Sequence, residues 1–150
     1  MCSSLRQTTK MLILKRKFSR SFAELEHIFH FIEEYSEQNH VPAALVQDIS
    51  LAVEELFTNM VKYNPDGPAK VELSLSIERD TLRIDLTDRE KTPFDITKSE
   101  VYDLNKSVEE RPVGRLGLFF VKKVMDRIEY NNNENRTVIT MTKHLGERNV

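Results

Sequence analysis

Residues 71–88 read VELSLSIERDTLRIDLTD, and this stretch decides the fold. Val71, Leu73, Leu75 and Ile77 alternate with Glu72, Ser74, Ser76 and Glu78. After a turn at Arg79-Asp80, Leu82, Ile84 and Leu86 repeat the pattern. A period of two with one apolar and one polar face predicts two antiparallel strands, dry on one side and wet on the other. Asp88 continues the parity of Leu82, Ile84 and Leu86, which puts a carboxylate on the buried face at the strand's end. Buried Asp is costly unless something hydrogen-bonds it. Either Asp88 lies just past the strand and caps a turn, or it is an acceptor for the amino group of a ligand.

Working outward, Met11 to Phe18 alternates around Leu12, Leu14 and Phe18 and predicts another strand. Ser21 followed by Glu24 spells a capping box. The helix behind it carries Phe22, Leu25, Ile28, Phe29 and Ile32 at helical spacing and fades near Asn39. Pro42 suits the start of a second helix, which the Asn64-Pro65-Asp66-Gly67-Pro68 cluster stops. Residues 88–113 form a long charged connection with Pro93 and Pro112, a length more typical of a functional flap than of idle chain. A third helix is expected from about Arg115 to Asp126. Two strands follow, near Ile128–Asn131 and Thr137–Lys143. This order implies an α+β fold: a two-layer sandwich with a mostly antiparallel sheet and its helices on one face.

The 150 residues suit one domain spanning 1–150, with residues 1–9 and 146–150 expected to be flexible ends. Lys+Arg 22 against Asp+Glu 24 gives a net charge of −2, without the cationic excess that nucleic-acid or polybasic membrane binding needs. One cysteine excludes a disulfide framework and a four-cysteine zinc site. No apolar run is long enough for a membrane span or a secretory signal, so a cytoplasmic protein is expected.

Two further features carry chemistry. Glu55 and Asn59 lie four apart on the second helix among Ala52, Val53, Leu56, Phe57, Met60 and Val61. They form either a polar seam at the helix edge or the lining of a ligand cavity, where the amide oxygen suits a hard cation. Gly114-Arg115-Leu116-Gly117-Leu118 holds two of the chain's four glycines just before a helix. Backbone N–H groups there can approach phosphate, with Arg111 and Arg115 as flanking cations or as solvated surface residues.

In this order the pieces resemble the histidine-kinase-like (Bergerat-fold) ATPase superfamily, and within it the anti-sigma-factor serine/threonine kinase branch. Leu51–Asn59 contains the spelling E-x-x-T-N of that branch. The resemblance implies Glu55 as general base and Asn59 as Mg²⁺ ligand, with Lys62 and Tyr63 near the nucleotide. It implies Asp88 as acceptor for the adenine amino group. Pro93-Phe94-Asp95 resembles the end of the first glycine box, and Arg111 to Leu118, with Gly114, Arg115, Leu116 and Gly117, resembles the second. Two departures stand out: Glu90 and Arg115 replace glycines common in the family.

The implied cofactors are ATP and Mg²⁺. The implied function is a kinase that phosphorylates a serine or threonine of an anti-sigma-factor antagonist, with a sigma factor and a second copy of the chain as further partners. A non-catalytic, ATP-gated interaction module with a degenerate glycine box is the alternative. A detached histidine-kinase domain is a weaker rival, because His27 and His30 sit on a helix integral to the fold and read as core-edge residues.

Overall fold

A computed structural model describes residues 12–65, 67–89, 115–133 and 136–146. The elements are β1 (Leu12–Phe18), a 3-10 turn (Phe22–Glu24), α1 (Leu25–Gln38), α2 (Ala43–Tyr63), β2 (Val71–Glu78), β3 (Thr81–Asp88), α3 (Arg115–Val124), β4 (Arg127–Asn133) and β5 (Arg136–His144). The strands form one five-stranded sheet in the order β1-β2-β3-β5-β4, and each neighbouring pair is antiparallel.

The period of two holds throughout the central strands. Val71, Leu73 and Leu75 of β2 and Leu82, Ile84 and Leu86 of β3 are buried, as are Ile139 and Met141 of β5. They meet the apolar stripes of α1 (Ile28, Phe31, Ile32) and α2 (Ile49, Val53, Leu56, Phe57) in one core. Ser74 and Ser76, expected on the wet face, are nonetheless buried. Their short side chains lie in a central strand beside Lys15, Asp85 and Arg83 of the flanking strands, below the reach of those longer groups.

Helix ends follow local chemistry. Ser21 accepts from the Ala23 N–H at 3.2 Å, but Glu24 turns to His27 instead of closing the box, so α1 proper starts only at Leu25. At the other end His40 takes φ 57°, and the Val41 and His40 N–H groups donate to the Ser36 and Glu37 carbonyls, a Schellman closure. The C-terminal end of α3 is tied to β5: Lys143 Nζ donates to the Val124 carbonyl and the Asp126 N–H to the Thr142 carbonyl. α3 thereby buries Val121, with Met125 just beyond it, against the core, and presents its first turn toward α2.

Of the expected flexible ends, residues 1–9 and 147–150 lie outside the described residues, as does the connection from 90 to 114. Among the described residues no helix is long and apolar enough to cross a membrane.

Candidate functional site

The C-terminal half of α2 passes beneath the end of β3 and the start of α3, and the candidate site gathers there. Helical periodicity turns Leu56, Phe57 and Met60 into the core and leaves Glu55 half-buried on the flank facing α3. Asn59, one turn later, is buried to 7% exposure, and its Nδ2 donates to Glu55 Oε1 at 3.4 Å. Asn59 Oδ1 has no hydrogen-bond partner among the described residues, leaving a buried carbonyl oxygen of the kind a hard cation takes. The side chain of Thr58 bonds back to the Glu55 carbonyl at 3.1 Å, which keeps it in the helix.

Gly117 lies inside the helix expected from about Arg115, as the third residue of α3. A Cβ at that position would overlap the Glu55 carboxylate. The missing side chain is therefore what lets the first turn of α3 close onto Glu55. Glycine weakens a helix by about 1 kcal/mol relative to alanine, and here that cost accompanies a close approach between helices.

Asp88 is the last residue of β3 and fully buried, so the parity reading holds and the turn-cap alternative does not. Its carboxylate is not waiting for a ligand, however. Arg20, two residues beyond β1, reaches it with a two-pronged ion pair: Nη1 to Oδ1 at 2.7 Å and Nη2 to Oδ2 at 3.0 Å. The same guanidinium donates from Nη2 to the Met60 carbonyl and from Nε to the Asn64 carbonyl, both at 2.7 Å. The Arg20 side chain is 3% exposed. One arginine thus joins the β1 exit, the last turn of α2 and the end of β3 through a planar fork that no lysine could reproduce.

Thr137 on β5 pairs in register with Asp88 and is buried at 1% exposure, which brings a hydroxyl to the same corner. Sequence reading passed over Arg20 and Thr137. The signal for Thr137 is its place in β5 opposite the inward end of β3. Arg20 carries no such local signal.

Lys62 and Tyr63 occupy the exposed end of α2. Arg115, Leu116 and Leu118 lie in the first turn of α3, while Phe94, Glu90, Arg111 and Gly114 fall outside the described residues. The structure therefore brings Glu55, Asn59 and Gly117 together and places Asp88 at the neighbouring end of the sheet. His27 and His30 are exposed instead of lying at the core edge, with His27 3.3 Å from Glu24. Among the described residues no cluster of three His, Cys, Asp or Glu side chains could cage a metal. A cation here would take one amide oxygen from the protein and the rest from a ligand and water, which is the habit of Mg²⁺ with phosphates.

Known proteins resemble this chain in sequence and in fold. The family model of the histidine kinase-like ATPase domain matches residues 18–143. Serine-protein kinase RsbW of Listeria monocytogenes (serovar 1/2a) is 32% identical over 111 residues, covering 70% of this chain and 69% of the relative. Serine-protein kinase RsbW of Bacillus cereus is 31% identical over 109 residues, covering 70% and 68%. Among solved structures, the RsbU and RsbW domains of a Mycobacterium tuberculosis protein superpose with TM-score 0.65 at 13% identity over 89% of this chain. This chain spans only 32% of that longer one. A chain of the SiaB–SiaC complex of Pseudomonas aeruginosa superposes with TM-score 0.62 at 13% identity, covering 93% of this chain and 95% of that one. These last two likenesses speak for the fold. A buried carboxylate closing β3, an amide-carboxylate pair on α2 and a glycine seated against it are thus accompanied by a match over most of the sequence, and the chain belongs to the histidine kinase-like ATPase domain family.

Proposed function

We propose that the protein is an ATP-dependent serine/threonine kinase that acts as an anti-sigma factor and phosphorylates an antagonist protein. The observation that carries this reading is the Glu55–Asn59 pair with Gly117 against it. The half-buried Glu55 carboxylate would accept the proton of a serine or threonine hydroxyl as its oxygen attacks the terminal phosphorus and ADP leaves. Phosphoryl transfer asks mainly for positioning and charge stabilisation, so one well-placed base and one cation ligand suffice from the protein. Asn59 Oδ1 would hold Mg²⁺, which when bound neutralises phosphate charge. The first turn of α3 would offer backbone N–H groups to the phosphates, and Lys62, Arg111 and Arg115 are the cations this reading assigns to them. Asp88 and Thr137 would receive the base, and Tyr63, Phe94, Gly114, Leu116 and Leu118 would complete the pocket.

The relatives named serine-protein kinase support the kinase reading, and the SiaB–SiaC neighbour shows a chain of this fold in a complex with a partner. A sigma factor and a second copy of the chain are the further partners this reading entails. A cytoplasmic location fits it.

The test is transfer of labelled phosphate from Mg·ATP to a purified candidate antagonist, run with wild type and with Gly117→Ala. Wild type is expected to label a serine or threonine of the antagonist. Gly117→Ala is expected to stay folded, gaining about 1 kcal/mol of helix propensity, and to lose transfer, because its methyl group displaces the Glu55 carboxylate. Nucleotide binding by wild type without transfer to any antagonist would overturn the kinase reading in favour of a nucleotide-gated binding module.

A further inference from the structure

The nucleotide reading gives the Asp88 carboxylate to the 6-amino group of adenine, yet both of its oxygens are engaged by Arg20. We propose that Arg20 is an internal competitor for the nucleotide base: its guanidinium holds the acceptor that adenine needs, so that Arg20 sets the affinity and the adenine selectivity of the site. The inference rests on the nucleotide reading above and deepens it.

Three observations carry it. The contact is bidentate and charge-assisted, at 2.7 and 3.0 Å, the strongest geometry available between these groups. It is dry, with Arg20 3% and Asp88 0% exposed in their side chains, so no water stands ready to replace the arginine. The arginine's remaining bonds go to carbonyls, Met60 and Asn64 at the end of α2. One N–H from Nε, one from Nη1 and two from Nη2 are used, four of the five that a guanidinium has.

Such a fork can be exchanged for a base only by withdrawal of the side chain. Withdrawal would run outward through a short connector: Ser19 beside Arg20 is exposed, and the connector from β1 to the 3-10 turn is three residues long. A ligand that binds only the withdrawn state has its apparent dissociation constant raised by the reciprocal of that state's population. An adenine nucleotide supplies a donor for Asp88 in exchange. A 6-oxopurine presents a carbonyl oxygen where adenine has its 6-amino donor, and the Asp88 carboxylate repels that oxygen whether or not the arginine is there.

Fluorescence or calorimetric titration of the full chain with Mg·ATP and with Mg·ITP tests this, using wild type, Arg20→Met and Arg20→Lys. Lysine keeps the charge and part of the packing but cannot make the fork, which covers the case in which Arg20→Met does not fold. Removing the fork is expected to tighten ATP binding by at least about tenfold, with little change for ITP, in whichever variant remains folded by circular dichroism. Weaker or unchanged ATP binding in a folded variant would overturn the proposal and make Arg20 a staple that holds Asp88 in place. An equal gain for ATP and ITP would also overturn it, since the effect would then be general loosening. If wild type binds ATP while the variants gain nothing, only the competitor role falls. If no folded form binds either nucleotide, the nucleotide reading falls with it.

Discussion

Replacing Glu55 by glutamine is expected to lower phosphate transfer to the antagonist by roughly 10²–10⁴-fold, the usual contribution of a positioned general base. Glutamine keeps the length of the side chain, its fit beside Gly117 and an oxygen for the Asn59 amide, and removes only the capacity to take a proton. Nucleotide affinity should therefore hardly move, and thermal stability likewise. The measurement is initial-rate transfer at saturating Mg·ATP beside a nucleotide titration of the same preparation. Transfer within a factor of about three of wild type, less than one Brønsted-scale step of the expected loss, would remove Glu55 from the base role. Parallel loss of binding and transfer would make it a structural residue instead.

The second large effect concerns stability. Asp88→Ala is expected to cost about 3–5 kcal/mol of unfolding free energy, because it strands a guanidinium that is 3% exposed with only carbonyl oxygens as partners. Against a total of about 5–15 kcal/mol for a domain, that is enough to bring the protein close to its threshold. Urea unfolding of the variant would show the loss as a lower midpoint at unchanged slope. The double variant Arg20→Met with Asp88→Leu should recover most of it, since a buried ion pair replaced on both sides by apolar groups is often neutral in stability. A cost below about 1 kcal/mol for Asp88→Ala, the range of an exposed pair, would show that the Arg20–Asp88 contact contributes little to the folded state.

The two effects separate along the structure. Glu55 and Gly117 belong to the meeting of α2 with α3, where a missing Cβ makes room for a carboxylate. Arg20 and Asp88 belong to the joint between β1, α2 and β3, where one side chain fastens three elements. A kinase variant that fails at the first place should keep the stability of wild type. One that fails at the second should be less stable.

Much of this was legible in the sequence, and the reasons are local. Periods of two and 3.6 hold where one face meets the core, so the five strands and three helices stand where Leu73, Leu75, Ile84, Leu56 and Val121 put them. Asp88 betrayed itself by keeping the inward parity of its strand. Arg20 did not, because Lys15, Arg16 and Lys17 just before it are exposed cations and a fourth basic residue looks like more of the same surface. Its meaning lies in a partner 68 residues away, and no local pattern encodes that distance. Gly117 was visible as a glycine at the start of the expected helix, but the sequence alone does not show that the helix needs a gap there for a neighbour's carboxylate. Ser74 and Ser76 alternate like wet residues and are buried because central-strand neighbours overshadow short side chains.

The central claim is that the face of α2 bearing Asn59 grips a metal-bound nucleotide. Calorimetric titration with Mg·ATP, wild type against Asn59→Ala, tests it most directly. The account predicts one saturable site in wild type and an affinity at least about tenfold lower in the variant, equivalent to about 1.4 kcal/mol. Indistinguishable isotherms for the two folded proteins would contradict it.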